Sequence, residues 1–255
     1  MKRKIKLAFF SATGTTKKVI LELARALDLV DEIIDLTPKD NRNQPLILDD
    51  KDLLILGLPV YAGRLPSFLA DYLKSFRGDR TPLVSLVVYG NRAFDDALVE
   101  LKDILEERGF INIAAAAFIG EHSYTRDIAT SRPDKSDLDL AYEFGLKLKE
   151  VLIKEPTSIN PPGTRPYRPG MVYKDYKIET SQACIDCGLY SRDCPRQDLA
   201  ANNRDIDLGL CVLCSRCIKA CPVGAKAILD EDFQSFLKDF TAKLNKTRLE
   251  PEFFL

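Results

Sequence analysis

Through the first part of the chain, short apolar runs alternate with helical spacings. Residues 5–10 form an apolar run, and apolar positions then recur at helical spacing through Val19, Ile20, Leu23, Ala24 and Leu27. Further strands are predicted at 32–36, 52–57, 83–89 and 111–119, and helices at 67–76, 95–108 and 136–153. Leu53, Leu54, Ile55 and Leu56 are apolar without alternation, as in a strand buried on both faces. Such strands separated by helices predict an α/β unit with a doubly wound, five-stranded parallel sheet. Residues 37–51 break the pattern with two prolines and a polar stretch. The crossover helix there is expected to be short or missing.

The pattern stops at residues 160–170, NPPGTRPYRPG, with four prolines and two glycines. Proline fixes φ and removes a donor, so this stretch reads as a stiff, extended connector. It predicts three parts: a unit over 1–158, a linker over 159–170 and a smaller α+β unit over 171–255. A last helix is predicted at 231–245. It carries Phe233, Phe236, Leu237, Phe240 and Leu244 on one face, expected to pack against the rest of the protein.

The net charge is −1, which argues against a domain built to grip nucleic acid. Apolar runs are too short for a membrane span. The basic, then apolar N-terminus is followed at once by Ser11 and reads as a first strand rather than a signal peptide. A cytoplasmic location is the resulting expectation.

All seven cysteines lie between Cys184 and Cys221. An odd, tightly clustered set fits metal binding better than a disulfide framework. Cys211-x2-Cys214-x2-Cys217-x3-Cys221-Pro222 is the bacterial ferredoxin spacing, in which the fourth cysteine serves the other of two clusters. Cys184-x2-Cys187-x6-Cys194-Pro195 is its incomplete partner, with Tyr190 where a third cysteine would stand. Crossed ligation gives one 4Fe–4S cluster to Cys194, Cys211, Cys214 and Cys217. Cys184, Cys187 and Cys221 remain for a second cluster. That second cluster is open between 3Fe–4S, 4Fe–4S with a non-cysteine ligand, and absence. Tyr190 is either a packed side chain or a phenolate ligand, and Asp186, Ser191 and Asp193 are nearby oxygen donors. Zinc fits a run of three cysteines at this spacing poorly.

Ser11, Thr13, Gly14, Thr15 and Thr16 follow the first strand and open a helix. Hydroxyls and unpaired amides at a helix N-terminus suit a phosphate. The spacing is neither a P-loop nor a dinucleotide fingerprint. Two further loops, Pro59-Val60-Tyr61-Ala62-Gly63 and Tyr89-Gly90-Asn91-Arg92, follow the third and fourth strands, on the rim where ligands of open α/β sheets bind. Tyr61, with Tyr89 or Phe94, can lie against a flat ring. Ala62 and Gly63 allow close backbone approach, and Asn91 can read a polar ring edge. His122, the single histidine, follows the fifth strand on the same rim, as a proton donor or a structural residue.

With these loops and the cysteine motif, the chain resembles the flavodoxin–ferredoxin fusion proteins of anaerobic bacteria and archaea. The resemblance extends over AFIGEHSY at 117–124 and the connector. It implies a flavodoxin-like sheet, a bacterial ferredoxin-like domain, FMN and two 4Fe–4S clusters. It places the phosphate on Ser11, Thr13, Gly14, Thr15 and Thr16. The ring falls to Pro59, Val60, Tyr61, Ala62 and Gly63, with Tyr89, Gly90, Asn91 and Arg92. The expected function is electron transfer between clusters and FMN, coupling one-electron and two-electron carriers. The expected partners are redox proteins such as a ferredoxin or a reductase or oxidase. The alternatives are a flavin-dependent reductase of a small acceptor and, behind it, a redox sensor.

Overall fold

The structure, a computed structural model, describes residues 3–170, 176–197 and 209–255. The expected start of the second unit, residue 171, lies outside them.

Five parallel strands form the centre: β1 (Lys4–Phe9), β2 (Glu32–Asp35), β3 (Asp52–Pro59), β4 (Thr81–Tyr89) and β5 (Phe110–Ile119), in the order β2-β1-β3-β4-β5. This is the flavodoxin-like order, whose switch point lies between β1 and β3. Helices α1 (Thr15–Arg25) and α4 (Lys135–Leu152) cover one face, and α2 (Ser67–Leu73) and α3 (Ala97–Glu106) the other. Leu53 and Ile55 of β3 pack toward the first pair, Leu54 and Leu56 toward the second. This is why the run shows no alternation. Residues 37–51 hold only a 3-10 turn at Lys39–Arg42, in line with the two prolines.

A sixth strand, β8 (Glu252–Phe254), lies antiparallel on the outer edge of β5, pairing Ala115 with Phe254 and Ala117 with Glu252. The five expected parallel strands are present, and this antiparallel strand extends the sheet to six. The cause is the chain's last residues. Phe253 stacks on Phe144 of α4 at 4.9 Å between ring centroids, while Phe254 packs against the opposite core.

The connector runs along α3. Asp96 accepts the amides of Thr164 (2.8 Å) and Arg168 (2.7 Å). Asp103 takes Arg165 through both oxygens, at 2.7 and 2.6 Å, and the Tyr167 hydroxyl at 2.5 Å. These carboxylates lie on one side of the helix, as i, i+7 spacing requires. Beyond it, β6 (Ile178–Thr180) and β7 (Lys226–Ile228) pair antiparallel, with short helices α5 (Leu189–Asp193) and α6 (Arg216–Lys219) between them in sequence. Helix α7 (Glu231–Leu244) follows, capped by the Asp230 side chain on the Phe233 amide.

Candidate redox site

The loop after β1 is shaped by its own side chains. Ser11 Oγ accepts the Lys17 amide at 3.0 Å, and the Ser11 amide donates to Thr37 Oγ1 at 2.9 Å. Gly14 caps α1 at φ +89°, a left-handed conformation that glycine takes without a Cβ penalty. The first helical amides, at Thr15 and Thr16, have no acceptor within the helix by construction. Ala12, Thr13, Thr15 and Thr16 line a small cavity of about 50 Å³ together with Tyr61, Tyr89 and Cys214. The cradle fits a terminal phosphate, with Ser11 and Gly14 behind it as its frame.

Tyr61 and Arg64 exchange backbone hydrogen bonds of 2.9 and 3.1 Å across Ala62 (φ 52°) and Gly63 (φ 83°). Positive φ at both central positions makes this a type I′ turn. Buried Glu100 fixes it, accepting Arg64 Nε at 2.8 Å, Arg64 Nη2 at 2.7 Å and the Leu65 amide at 2.9 Å. Arg64 also donates to the Arg168 carbonyl at 2.6 Å and lies over the Tyr167 ring. The turn and the connector are thus held by the same guanidinium.

Asn91 is placed differently from the expected ring contact. Its amide is buried and donates to the carbonyls of Leu244 (3.0 Å) and Thr247 (2.8 Å), while its oxygen accepts the Leu249 amide (3.3 Å). Its side chain anchors the C-terminal segment. His122 packs edge-on against Tyr124 and Phe240, and its Nδ1 accepts the Tyr124 amide at 3.2 Å. A Cβ on Gly90 would collide with this imidazole. Burial, with Lys219 and Arg92 nearby, lowers the His122 pKa to about 4. A neutral imidazole whose Nδ1 is an acceptor suits a structural residue better than an acid.

The two ring loops and α7 enclose a cavity of about 440 Å³, within the range of ligand pockets. Val60–Gly63 and Tyr89, Gly90 and Arg92 form one side; Tyr124, Tyr176, Phe233, Phe236 and Phe240 form an aromatic wall opposite. The apolar face of α7 therefore packs partly on a cavity. A cavity with such walls suits a flat heteroaromatic ring, and Arg92, paired with Asp95, also lines it.

Cys194, Cys211, Cys214 and Cys217 line one cavity. Cys184, Cys187 and Cys221 line the next, with Cys217 and Tyr190 on the border of both. Burial pushes the Cys217 thiol up to about 12 and raises Cys214 too, and proximity to the other thiols of the four-cysteine set adds to both shifts. Thiolate ligation would offset that cost with metal charge. Arg216 lines the same cavity, and its buried Nε has no hydrogen-bond partner. A sulfide of a cluster is a fitting acceptor. For Cys221, burial acts upward, but the amides of Ala225, Val223, Lys226 and Gly224 outweigh it, and the thiol lies below its ordinary value.

Cations tie the cysteine segment to the sheet. Arg216 Nη1 donates to the Ala12 carbonyl at 2.6 Å, inside the phosphate loop. Lys219 reaches Glu121 and the His122 carbonyl, each at 2.7 Å. Arg42 donates to the carbonyl of Pro195, next to Cys194. The sequence offered no sign of these contacts, since isolated Arg and Lys residues carry no spacing signal.

The 4Fe-4S binding domain family model matches residues 204–226, a span that contains Cys211, Cys214, Cys217 and Cys221. The comparison with curated proteins returns no match. Solved structures similar to the chain include a flavodoxin from the domain Archaea (14% identity, 58% of this chain and 99% of that one, TM-score 0.40). Flavodoxin 2 from Bacillus cereus is 18% identical over 58% of this chain and 98% of its own, with a TM-score of 0.40. A Fusobacterium nucleatum flavodoxin mutant bound to flavin mononucleotide is 16% identical over 60% and 97%, with a TM-score of 0.41. The fold assignment rests on the strand order. Among the described residues no helix is long and apolar enough to cross a membrane. The strand order is flavodoxin-like, and the 4Fe-4S binding domain model matches within the cysteine segment.

Proposed function

We propose that this protein passes electrons within one chain between FMN, held by the rim loops, and iron–sulfur clusters held by the seven cysteines. Cys214 carries the reading. It lines the four-thiol cavity and also the cavity of the phosphate and ring loops. FMN exchanges one or two electrons and a cluster exchanges one, so the pair couples one-electron carriers to two-electron chemistry.

The residues have separable tasks in this reading. Thr13, Thr15 and Thr16 hold the phosphate, and the Tyr61–Arg64 turn, fixed by Glu100, sets one wall of the ring site. Cys194, Cys211, Cys214 and Cys217 hold the first cluster, and Cys184, Cys187 and Cys221 the second. Arg216 spans the boundary, bonded to the phosphate loop and lining the four-thiol cavity. The cavities follow one another: ring loops, four thiols, three thiols. External partners of the three-thiol end are redox proteins such as a ferredoxin or a reductase, in the cytoplasm. The test is anaerobic loading with FMN, iron and sulfide, followed by reduction with dithionite or a low-potential ferredoxin. Cluster and flavin absorbance should fall together. Flavin that stays oxidised while the cluster reduces refutes the reading.

The aromatic wall of the ring cavity favours a second reading, a flavin-dependent reductase of a small acceptor fed by the clusters. A flavin meant only for protein docking needs no chamber lined by Phe233, Phe236 and Phe240. Multiple turnovers of a quinone by the reduced protein would select this reading.

A further inference from the structure

The seven thiols divide four and three, and the short site ends on Tyr190. Apart from its thiols, the lining of the second cavity among the described residues is apolar except for Tyr190 and Lys226, and just outside that lining Asp186 Oδ1 accepts from Cys184 Sγ at 3.6 Å. Cys217 also touches it, but lines the first cavity with Cys194, Cys211 and Cys214. Tyr190 is 7% exposed and Lys226 3%. The Lys226 Nζ lies over the Tyr190 ring, 3.9 Å from its centroid. The ring is held in the wall that separates the two cavities. Cys187 is exposed, as is Ile185 beside it at 62%. The second site therefore opens to solvent, while Cys214 of the first packs against the sheet's core.

Resting on the reading that both cavities hold clusters, we propose that the second is a three-thiolate site whose fourth iron is replaceable. Tyr190 is a wall of that site and not an iron ligand. Three thiolates secure three irons of a cubane; the fourth is left with an exchangeable donor. Oxidation by one electron then releases that iron: [4Fe–4S]2+ gives [3Fe–4S]+ and Fe2+, the electron passes to the oxidant, and all four sulfides stay. The site thus takes a divalent iron as its ligand. The chain carries one fixed cluster beside the flavin loops and one iron-responsive cluster at the surface.

The test uses the full chain, reconstituted anaerobically with ferrous iron and sulfide and then treated with ferricyanide as the one-electron oxidant. Loss of about one iron per chain and the near-isotropic EPR signal of an oxidised three-iron cluster are expected. Ferrous iron with dithionite should reverse both. Tyr190→Phe should behave like the unaltered protein, and Tyr190→Cys should keep its iron and lack the signal. FMN binding by each variant checks that the chain is folded. About eight irons per chain with no release and no signal overturns the replaceable iron and leaves two clusters standing. A changed signal in Tyr190→Phe makes the phenolate a ligand and overturns the proposal. About four irons after reconstitution removes the second cluster, and the two-cluster reading with it.

Discussion

Replacing Asn91 by alanine should free the C-terminal segment even when no flavin is bound. The amide makes three hydrogen bonds to that segment, at 3.0, 2.8 and 3.3 Å, and Asn91 is 6% exposed. Each such bond contributes about 0.5–1.5 kcal/mol net, and a buried partner left unsatisfied costs about 1–3 kcal/mol. The carbonyls of Leu244 and Thr247 can recover water once the segment opens, so a total of about 2–4 kcal/mol is reasonable. If local opening governs cleavage, that is about 30- to 1,000-fold in the open population. Lys246 and Arg248 are exposed on this segment, so trypsin reports the change directly. Limited digestion of flavin-free Asn91→Ala, with C-terminal fragments followed by mass spectrometry, should show faster cleavage there while the rest of the chain resists. A cleavage rate within threefold of the unaltered protein, with FMN affinity falling instead, would return Asn91 to the ring edge and refute the anchoring argument.

Three further outcomes follow from the site. Glu100→Gln leaves Arg64 without its carboxylate and should cost about 2–4 kcal/mol, read as a lower urea midpoint at unchanged slope. Arg216→Met removes a cation and a buried N–H from the four-thiol cavity. A loss of about 1 kcal/mol favouring the reduced cluster corresponds to about 40 mV for one electron, so the first cluster's potential should fall by that order in a redox titration. Burial acts to raise both Asp96 and Asp103, but hydrogen bonds from Arg168 and Thr164, and from Arg165 and Tyr167, bring each below the ordinary carboxylate range. A depressed folded-state value stabilises above the unfolded pKa of about 4 and is lost as pH falls through the folded value. The connector should therefore hold α3 at neutral pH and release only in acid below about pH 4, seen as hydrogen exchange in the connector amides.

Much of this was legible in the sequence because the signals were local. Unbroken apolar strands such as 53–56 follow from burial on both sheet faces, and the cysteine spacings fix which thiols can meet. What escaped depends on distant pairing. Glu252, Phe253 and Phe254 are too few to read as a strand, and only the open edge of β5 gives them a partner. Asn91 reads as a ring contact from its loop, but carbonyls more than 150 residues away claim its amide. The face of α7 was read as ordinary packing, though Asp232, Phe233, Phe236 and Phe240 border the ring cavity because the chain turns back over the rim.

Rapid anaerobic reduction of the fully loaded chain by a one-electron donor tests the central claim most directly. Cluster and flavin absorbance are followed together at several protein concentrations. Electrons that pass through the cavity beside Cys214 should reach the flavin at a first-order rate independent of protein concentration, and Cys214→Ala should abolish that phase. A flavin rate that rises with protein concentration, or that survives Cys214→Ala unchanged, would contradict transfer within the chain.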